Sequence, residues 1–397
     1  MMNQRPSSIE FLSAGNRNLL ICFSHLRWNF VFQRPQHLLT KASAEYRVIY
    51  LEEPAFEAVD DPHVRINVPA PGLSVVTPVL PPGIDDTTNV AMQRSLLDQL
   101  LLHDQHSKLV TWYYTPMALP FSAHLRPDIC IYDCMDELSG FKDPPARLIE
   151  YEKQLFATAD LVFTGGDSLY QAKRTQHPYV YAFPSSIDAE HFGKARRHLE
   201  DPAGQHLIPH PRIGFFGVID ERMDLGLVAS TATSMPDCQF VMLGPVVKID
   251  PATLPRAANL HWLGSKSYDE LPSYLRHWSA GWMPFALNES TRFISPTKTP
   301  EFLAAGLPVV STAIADVVRP YGVMGLVGIA SSDNIVQELR KALARKGDAT
   351  WLGKVDAFLA GKSWDKTWSS MLAHISSIKA GNDIVLMQKE PKSCLIG

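Results

Sequence analysis

The run PRIGFFGVI, residues 211–219, decides the architecture. It reads as a short buried strand ending at Gly217, and it restarts a strand-and-helix alternation that has just broken off. The break is GKARRHLEDPAGQHLIPH, residues 193–210, which is polar, contains proline and supplies neither a strand nor a long amphipathic helix. Before it lie the β-rich runs NLLICFS (18–24), YRVIYLE (46–52), KLVTW (108–112), DICIYD (128–133), LVFTG (161–165) and YVYAF (179–183). After it come CQFVMLG (238–244), NLHWLG (259–264), AGWMPF (280–285) and GLPVVST (306–312), with helix-like segments between them. Strands alternating with helices imply parallel sheets, so the fold class is α/β, with two doubly wound, Rossmann-like halves in tandem. The expected division is 1–195, a linker 196–210, a second domain 211–362, a crossover helix 363–379 and a tail 380–397. The crossover helix, marked by Trp364 and Trp368, is expected to pack back on the first half, and the tail to be poorly ordered.

Composition narrows the function. The chain has 397 residues, 46% hydrophobic and 20% charged, which suits a folded multidomain protein. With 37 Lys plus Arg against 41 Asp plus Glu, it lacks the basic excess of a dedicated nucleic-acid binder. Its five cysteines form neither a disulfide framework nor zinc knuckles, and they fit a reducing cytoplasm. Glu10 interrupts the place of a signal-peptide core, and the uncharged run 66–84 holds Pro69, Pro71, Pro78, Pro81 and Pro82, which prevent a continuous membrane-spanning helix. The ending Cys394-Leu395-Ile396-Gly397 is read as an unmodified tail, since a terminal Gly is atypical of a prenylation box.

Two segments carry chemistry. After Gly217, the loop VIDERMD leads into a helix from about Leu225; the Gly lets a ligand approach the backbone, and Arg222 with the helix-start amides offers a seat for phosphate. The plainer reading is a tight turn with Arg222 paired to Asp220 or Asp224. The second segment, SPTKTPEFLAAGLPVVST (295–312), brings Ser295, Thr297 and Lys298 to the start of a helix that ends at Gly306. One turn on, Glu301 can accept two hydrogen bonds from a ribose diol, or merely favour the helix dipole.

PTKTPEFLAAGLPVVST resembles the donor-site motif of the GT-B glycosyltransferases, in particular the large retaining group of family 4, and GFFGVIDERMD resembles the loop that opens their C-terminal domain. The likeness extends to FSHLRWNFVFQRPQHLL (23–39), YDCMDELSGF (132–141), LFATADLVFTGGDSLYQAK (155–173) and FPSSIDAEHF (183–192), over about residues 18–375. It points to bacterial polysaccharide and cell-surface transferases. The resemblance implies a nucleoside-diphosphate sugar held mainly by the second domain: Glu301 on the ribose, Gly217 admitting the diphosphate, Arg222 and Lys298 neutralising it. It implies catalysis without a metal or other cofactor, which suits the absence of any Asp pair at i and i+2. His103 and His106 are the nearest ligand-like pair and read as surface histidines. Two departures stand out. Phe293 occupies the place of a first Glu that contacts the donor sugar in the family, and VIDERMDLG supplies one cation, Arg222, where the family has an Arg and a Lys; Lys298 is the replacement for the second.

In the first half, acceptor chemistry belongs at the carboxyl ends of the strands. His25, Arg27 and Trp28 follow the first strand, with Arg34 and His37 beyond them; Asp133 and Asp136 follow DICIY and are the candidate general bases, with capping or ion pairing as the alternative. The acceptor is expected to be a glycan or lipid-linked glycan. Arg27, Trp28 and Arg34 look exposed enough either to touch the inner membrane face or to line the cleft. The competing functions are a sugar-nucleotide epimerase, a degenerate GT-B module that binds without turnover, and a nicotinamide oxidoreductase; the last is disfavoured because NLLICFSHLRW contains no GxGxxG.

Overall fold

The computed structural model describes residues 17–102, 104 and 106–387, with side chains to residue 378. Two sheets form two domains. The first contains β1 (Leu19–Phe23), β2 (Arg47–Leu51), β3 (Ala55–Phe56), β4 (His63–Ala70), β5 (Leu73–Leu80), β6 (Leu109–Tyr113), β7 (Ile129–Cys134), β8 (Leu161–Thr164) and β9 (Val180–Ala182). Its order is β3-β5-β2-β1-β6-β7-β8-β9, with β4 on β5. The second contains β10 (Arg212–Phe216), β11 (Gln239–Leu243), β12 (Leu260–Trp262), β13 (Ala280–Met283), β14 (Val309–Thr312) and β15 (Val327–Ala330), in the order β12-β11-β10-β13-β14-β15. In each sheet the opening strand has neighbours from opposite directions of the winding: β1 between β2 and β6, β10 between β11 and β13. The crevice at the carboxyl end of such a strand is where open α/β sheets bind ligands.

The apolar runs make these strands because both faces of each sheet are covered. Along β1, Leu19, Ile21 and Phe23 enter one core while Leu20 and Cys22 enter the other, as the two-residue period requires. The expectation of a wholly parallel sheet needs one correction. Residues 63–80 form the antiparallel hairpin β4–β5, whose turn uses Gly72 at φ 77. Pro78 is tolerated inside β5 because pairing to β2 ends at Val76 and pairing to β3 begins at Val79, so no ladder partner is waiting for its missing N–H. No helix among the described residues is long and apolar enough to cross a membrane.

The helix Trp364–Met387 follows the second domain yet belongs to the core of the first. Trp364, Trp368, Met371 and Ile375 pack with Leu38, Leu39 and Trp112, and His37 stacks on Trp364 with ring centroids 4.6 Å apart. The segment expected to be a tail is therefore helical as far as Met387, while 388–397, with Cys394, lie outside the described residues. Because Trp368 is 4% exposed and its indole donates to Glu45, Trp368→Ala is expected to destabilise the protein by about 3–5 kcal/mol, read from urea unfolding followed by circular dichroism. A loss under about 1 kcal/mol would show that this helix is only loosely docked.

Candidate active site

Backbone geometry at the end of β10 is dictated by crowding. Gly217 has φ 133 and Gly244, after β11, has φ 145, a region that residues with a Cβ rarely adopt. A Cβ on Gly244 would lie 1.8 Å from the Gly217 carbonyl oxygen, and one on Gly217 would lie 2.0 Å from Cε of Lys298. The expected reason for Gly217, room for a ligand, is thus corrected in part: the side chain it admits is that of Lys298. The helix-start amides after the loop are also less available than expected, since Asp224 caps the helix Leu225–Ser234 by accepting from the Leu227 N–H at 2.8 Å.

Charges converge here unequally. Arg222 is held in a fork by buried Asp220, with Nε 2.9 Å from Oδ1 and Nη2 2.6 Å from Oδ2, so the plainer reading of this Arg is also real. Its guanidinium lies 5.4 Å from the Phe141 ring centroid. Lys298, by contrast, makes no ion pair among the described residues, and burial pulls its amine below the ordinary lysine range despite the opposing pull of Glu301. Arg222, Lys298, Ser295, Thr297 and Asp136 line a cavity of about 100 Å³ between the domains. Ser295 also joins the domains, its carbonyl accepting from Ser185 Oγ at 3.0 Å.

Glu301 stands at the inner wall of an adjoining cavity of about 300 Å³, which Lys298 and Thr297 also reach. It is 8% exposed, and its carboxylate accepts no hydrogen bond among the described residues. Burial raises its pKa to about 7, with Lys298 holding it down. A carboxylate kept in so dry a place without donors is prepared for donors from outside. Asp136 is comparable: burial raises it to about 6, against Arg222, Arg34 and Lys298.

Several first-domain candidates are placed differently from expectation. Asp133 is fully buried and both its oxygens are taken by Arg34, at 3.1 and 2.9 Å, so it faces no substrate and cannot serve as a base; Arg34 in turn donates to the Phe183 carbonyl at 2.6 Å. Trp28 is 8% exposed, edge-on to Tyr50, and its backbone N–H donates to Glu52. Arg27 is tied to Glu52 at 3.1 Å. The exposure that motivated a membrane contact is therefore absent at Trp28 and Arg34, and both instead line the cleft cavities. His25 has a buried Nδ1 without a partner among the described residues, and burial together with Lys248 lowers its pKa to about 4, so it is neutral at physiological pH. Phe293, in the place of the family's first Glu, packs against the core of the first domain. Of the ligand-like histidine pair, His103 lies outside the described residues and His106 sits 3.1 Å from Asp104.

The sequence reading missed Tyr268. Its ring forms a wall of the Glu301 cavity, stacked on Phe32 at 4.4 Å and on His191 at 4.0 Å. No local signal marks it, because its partners come from the first domain and from the helix Ala189–Gly193.

No protein-family model matches the chain. A curated protein of Bacillus subtilis (strain 168), TuaH, provisionally named a teichuronic acid biosynthesis glycosyltransferase, is 25% identical over 279 residues, 64% of this chain and 69% of that protein. Among solved structures, sucrose-phosphate synthase from Thermosynechococcus elongatus superposes with TM-score 0.67 at 13% identity, covering 92% of this chain and 100% of that one. The structure described as trehalose-6-phosphate from E. coli bound with UDP-2-fluoro glucose gives 0.66 at 11% identity, covering 90% and 98%. WaaG, described as a glycosyltransferase involved in lipopolysaccharide biosynthesis, gives 0.58 at 13% identity, covering 89% and 98%. The chain has the GT-B fold and resembles glycosyltransferases of that fold.

Proposed function

We propose that this protein is a glycosyltransferase that moves a sugar from a nucleoside-diphosphate sugar to a glycan or lipid-linked acceptor in cell-surface polysaccharide synthesis. The observation that carries the reading is Glu301 and Lys298 on one helix, a carboxylate and an amine without hydrogen-bond or ion-pair partners, facing adjoining cavities between two domains. Glu301 accepts the ribose hydroxyls. Lys298 and Arg222 meet the diphosphate, with Ser295 and Thr297 beside it. The names of the Bacillus protein and of the UDP-2-fluoro glucose complex support this donor class.

Breaking the bond between sugar and diphosphate leaves negative charge on the departing oxygen, and fixed cations stabilise it as it develops. Lys298 is the stronger contributor, because Asp220 already offsets Arg222. Asp136, ionised above about pH 6, is placed in the same cavity to take the proton of an acceptor hydroxyl, a role Asp133 cannot fill. The first domain supplies the acceptor side, where His25 lies within electrostatic reach of Lys248 from the second domain. With the charge supplied by side chains, no cofactor is required, and transfer is expected to persist in EDTA; activity lost in EDTA and restored only by a divalent ion would refute that mechanism. The free buried thiols of Cys22, Cys130, Cys134 and Cys238 fit a cytoplasmic setting. The membrane component is not carried forward, since Trp28 and Arg34 are buried.

The test is thermal shift with UDP- and GDP-sugars followed by an acceptor assay. A nucleotide sugar at a hundred times its Kd should stabilise the fold by about 2.7 kcal/mol. Stabilisation with no transfer to any acceptor would leave a binding module, and isomerised free nucleotide sugar would mark an epimerase.

A further inference from the structure

The first domain holds a cavity of about 700 Å³ that the cleft cavities do not share. Its wall includes Phe23, Ser24 and Thr115, at the carboxyl ends of β1 and β6, which is the crevice where the winding of that sheet reverses. Three properties define what fits it.

The lining is largely apolar: Phe56, Phe121, Met117 and Tyr151 face it, and Phe56 is left 51% exposed. Gln93, more than nine-tenths buried, gives its amide N–H to Asn89 at 2.8 Å, while its carbonyl oxygen has no partner among the described residues. That oxygen is an acceptor waiting for a hydroxyl. The charges on the wall are mostly negative. Glu52, Glu53 and Asp86 line it; the lining cation Arg147 is already committed to Glu150 through two bonds of 3.0 and 2.8 Å, and Arg27 is spent on Glu52. Among the lining residues an anionic group would meet carboxylates and no uncommitted cation; Lys248, which acts on Glu53, stands outside the lining.

One lining residue of the groove, Glu53, lies within electrostatic reach of the second domain. Lys248, from the second domain, acts electrostatically on both Glu53 and His25, and its amine lies 5.4 Å from the Phe141 ring, over which Arg222 also sits. We propose that this groove seats the acceptor as an uncharged glycosyl unit carried on an apolar body, and that it discriminates against acceptors bearing a carboxylate or phosphate at that unit. The inference rests on the transferase reading for the word acceptor, but the groove's selectivity is measurable without it.

Isothermal titration of the full chain, without nucleotide, compares octyl glucoside with octyl glucuronide below their micellar concentrations. The two differ only at C6, a neutral hydroxymethyl group in one and a carboxylate in the other, and the Glu53 and Asp86 substitutions separate the charge from the lost hydroxyl. The glucoside is expected to bind at least tenfold more tightly. Glu53→Gln combined with Asp86→Asn, both at exposed positions, should narrow that gap several-fold, and Gln93→Leu should weaken the glucoside several-fold. Equal or tighter binding of the glucuronide, an unchanged gap in the double variant, or binding of neither probe overturns the proposal. The nucleotide-sugar thermal shift on the same preparation separates the two readings: its absence with the glycoside preference intact removes the transferase and leaves the groove, and the reverse removes the groove.

Discussion

Glu301→Gln is expected to stabilise the free protein at pH 8 and, in the same variant, to weaken nucleotide-sugar binding by roughly one to two orders of magnitude. The stability effect follows from the raised carboxyl. Its folded-state pKa is about 7 against an ordinary 4.5, so the native state binds the proton more tightly than the unfolded chain does. The contribution of Glu301 to stability therefore falls as pH rises from about 4.5 through 7 and then levels, a cost of roughly 3 kcal/mol. It is read as the difference between wild type and variant, since His25 and His37, with lowered pKa values, act in the opposite direction in both. Gln is neutral throughout, so the advantage of the variant should be absent below about pH 4.5 and complete above 7. The binding effect has the opposite sign, because hydrogen bonds to a charged acceptor are worth about 1.5–3 kcal/mol and Gln cannot take up both ribose hydroxyls in that way. Wild-type affinity should rise with pH through about 7 relative to that of the variant, which keeps only the weakening from ionisation of Asp136 near pH 6 that both proteins share. A nucleoside-diphosphate sugar is the right ligand for the titration, since its esterified diphosphate does not itself titrate in that range. Equal wild-type affinity for ribo- and 2′-deoxyribonucleotides would show that no carboxylate holds the diol.

Lys298→Met should lower kcat by roughly 10² to 10³, the usual scale for removing one preorganised charge from a developing anion, while the protein remains folded. Its amine is desolvated and has no ion pair, so the methyl thioether replaces an unfavourable buried charge with a side chain of similar length beside Gly217. Affinity for the free nucleoside should change little and affinity for the diphosphate should drop; equal losses for both would show that Lys298 is not the phosphate contact. The variant has a second signature. Lys298 is the cation that restrains Glu301, so its removal should move the midpoint of the pH-dependent binding above 7.

The two predictions depend on different levels of information. Both residues were legible in SPTKTPEFLAAGLPVVST, because a loop, a helix start and a carboxylate one turn later are short-range patterns. That Lys298 lies over Gly217 was not, since the contact joins positions whose separation has no period. Arg222 was ambiguous in the loop and stays divided in the structure, where Asp220 claims its guanidinium while the same side chain lines the cavity it shares with Lys298. Asp133 and Asp136 were equivalent as residues three apart after an apolar strand. Folding separates them by bringing Arg34 across 99 residues to one and leaving the other in the cleft.

By itself, the sequence determined the two tandem α/β halves, the helix that packs back on the first of them and the helix bearing Lys298 and Glu301. Those follow from the backbone period, from glycine and proline geometry and from neighbouring residues, interactions that span a few positions. Only the tertiary structure decided which charges are free. It placed Trp28 and Arg34 inside, tied Asp133, left Glu301 without donors and opened the acidic groove beside β1. The physical reason is that desolvation and Coulomb energy depend on every group within several ångströms, and those groups arrive from distant parts of the chain only when both domains have formed.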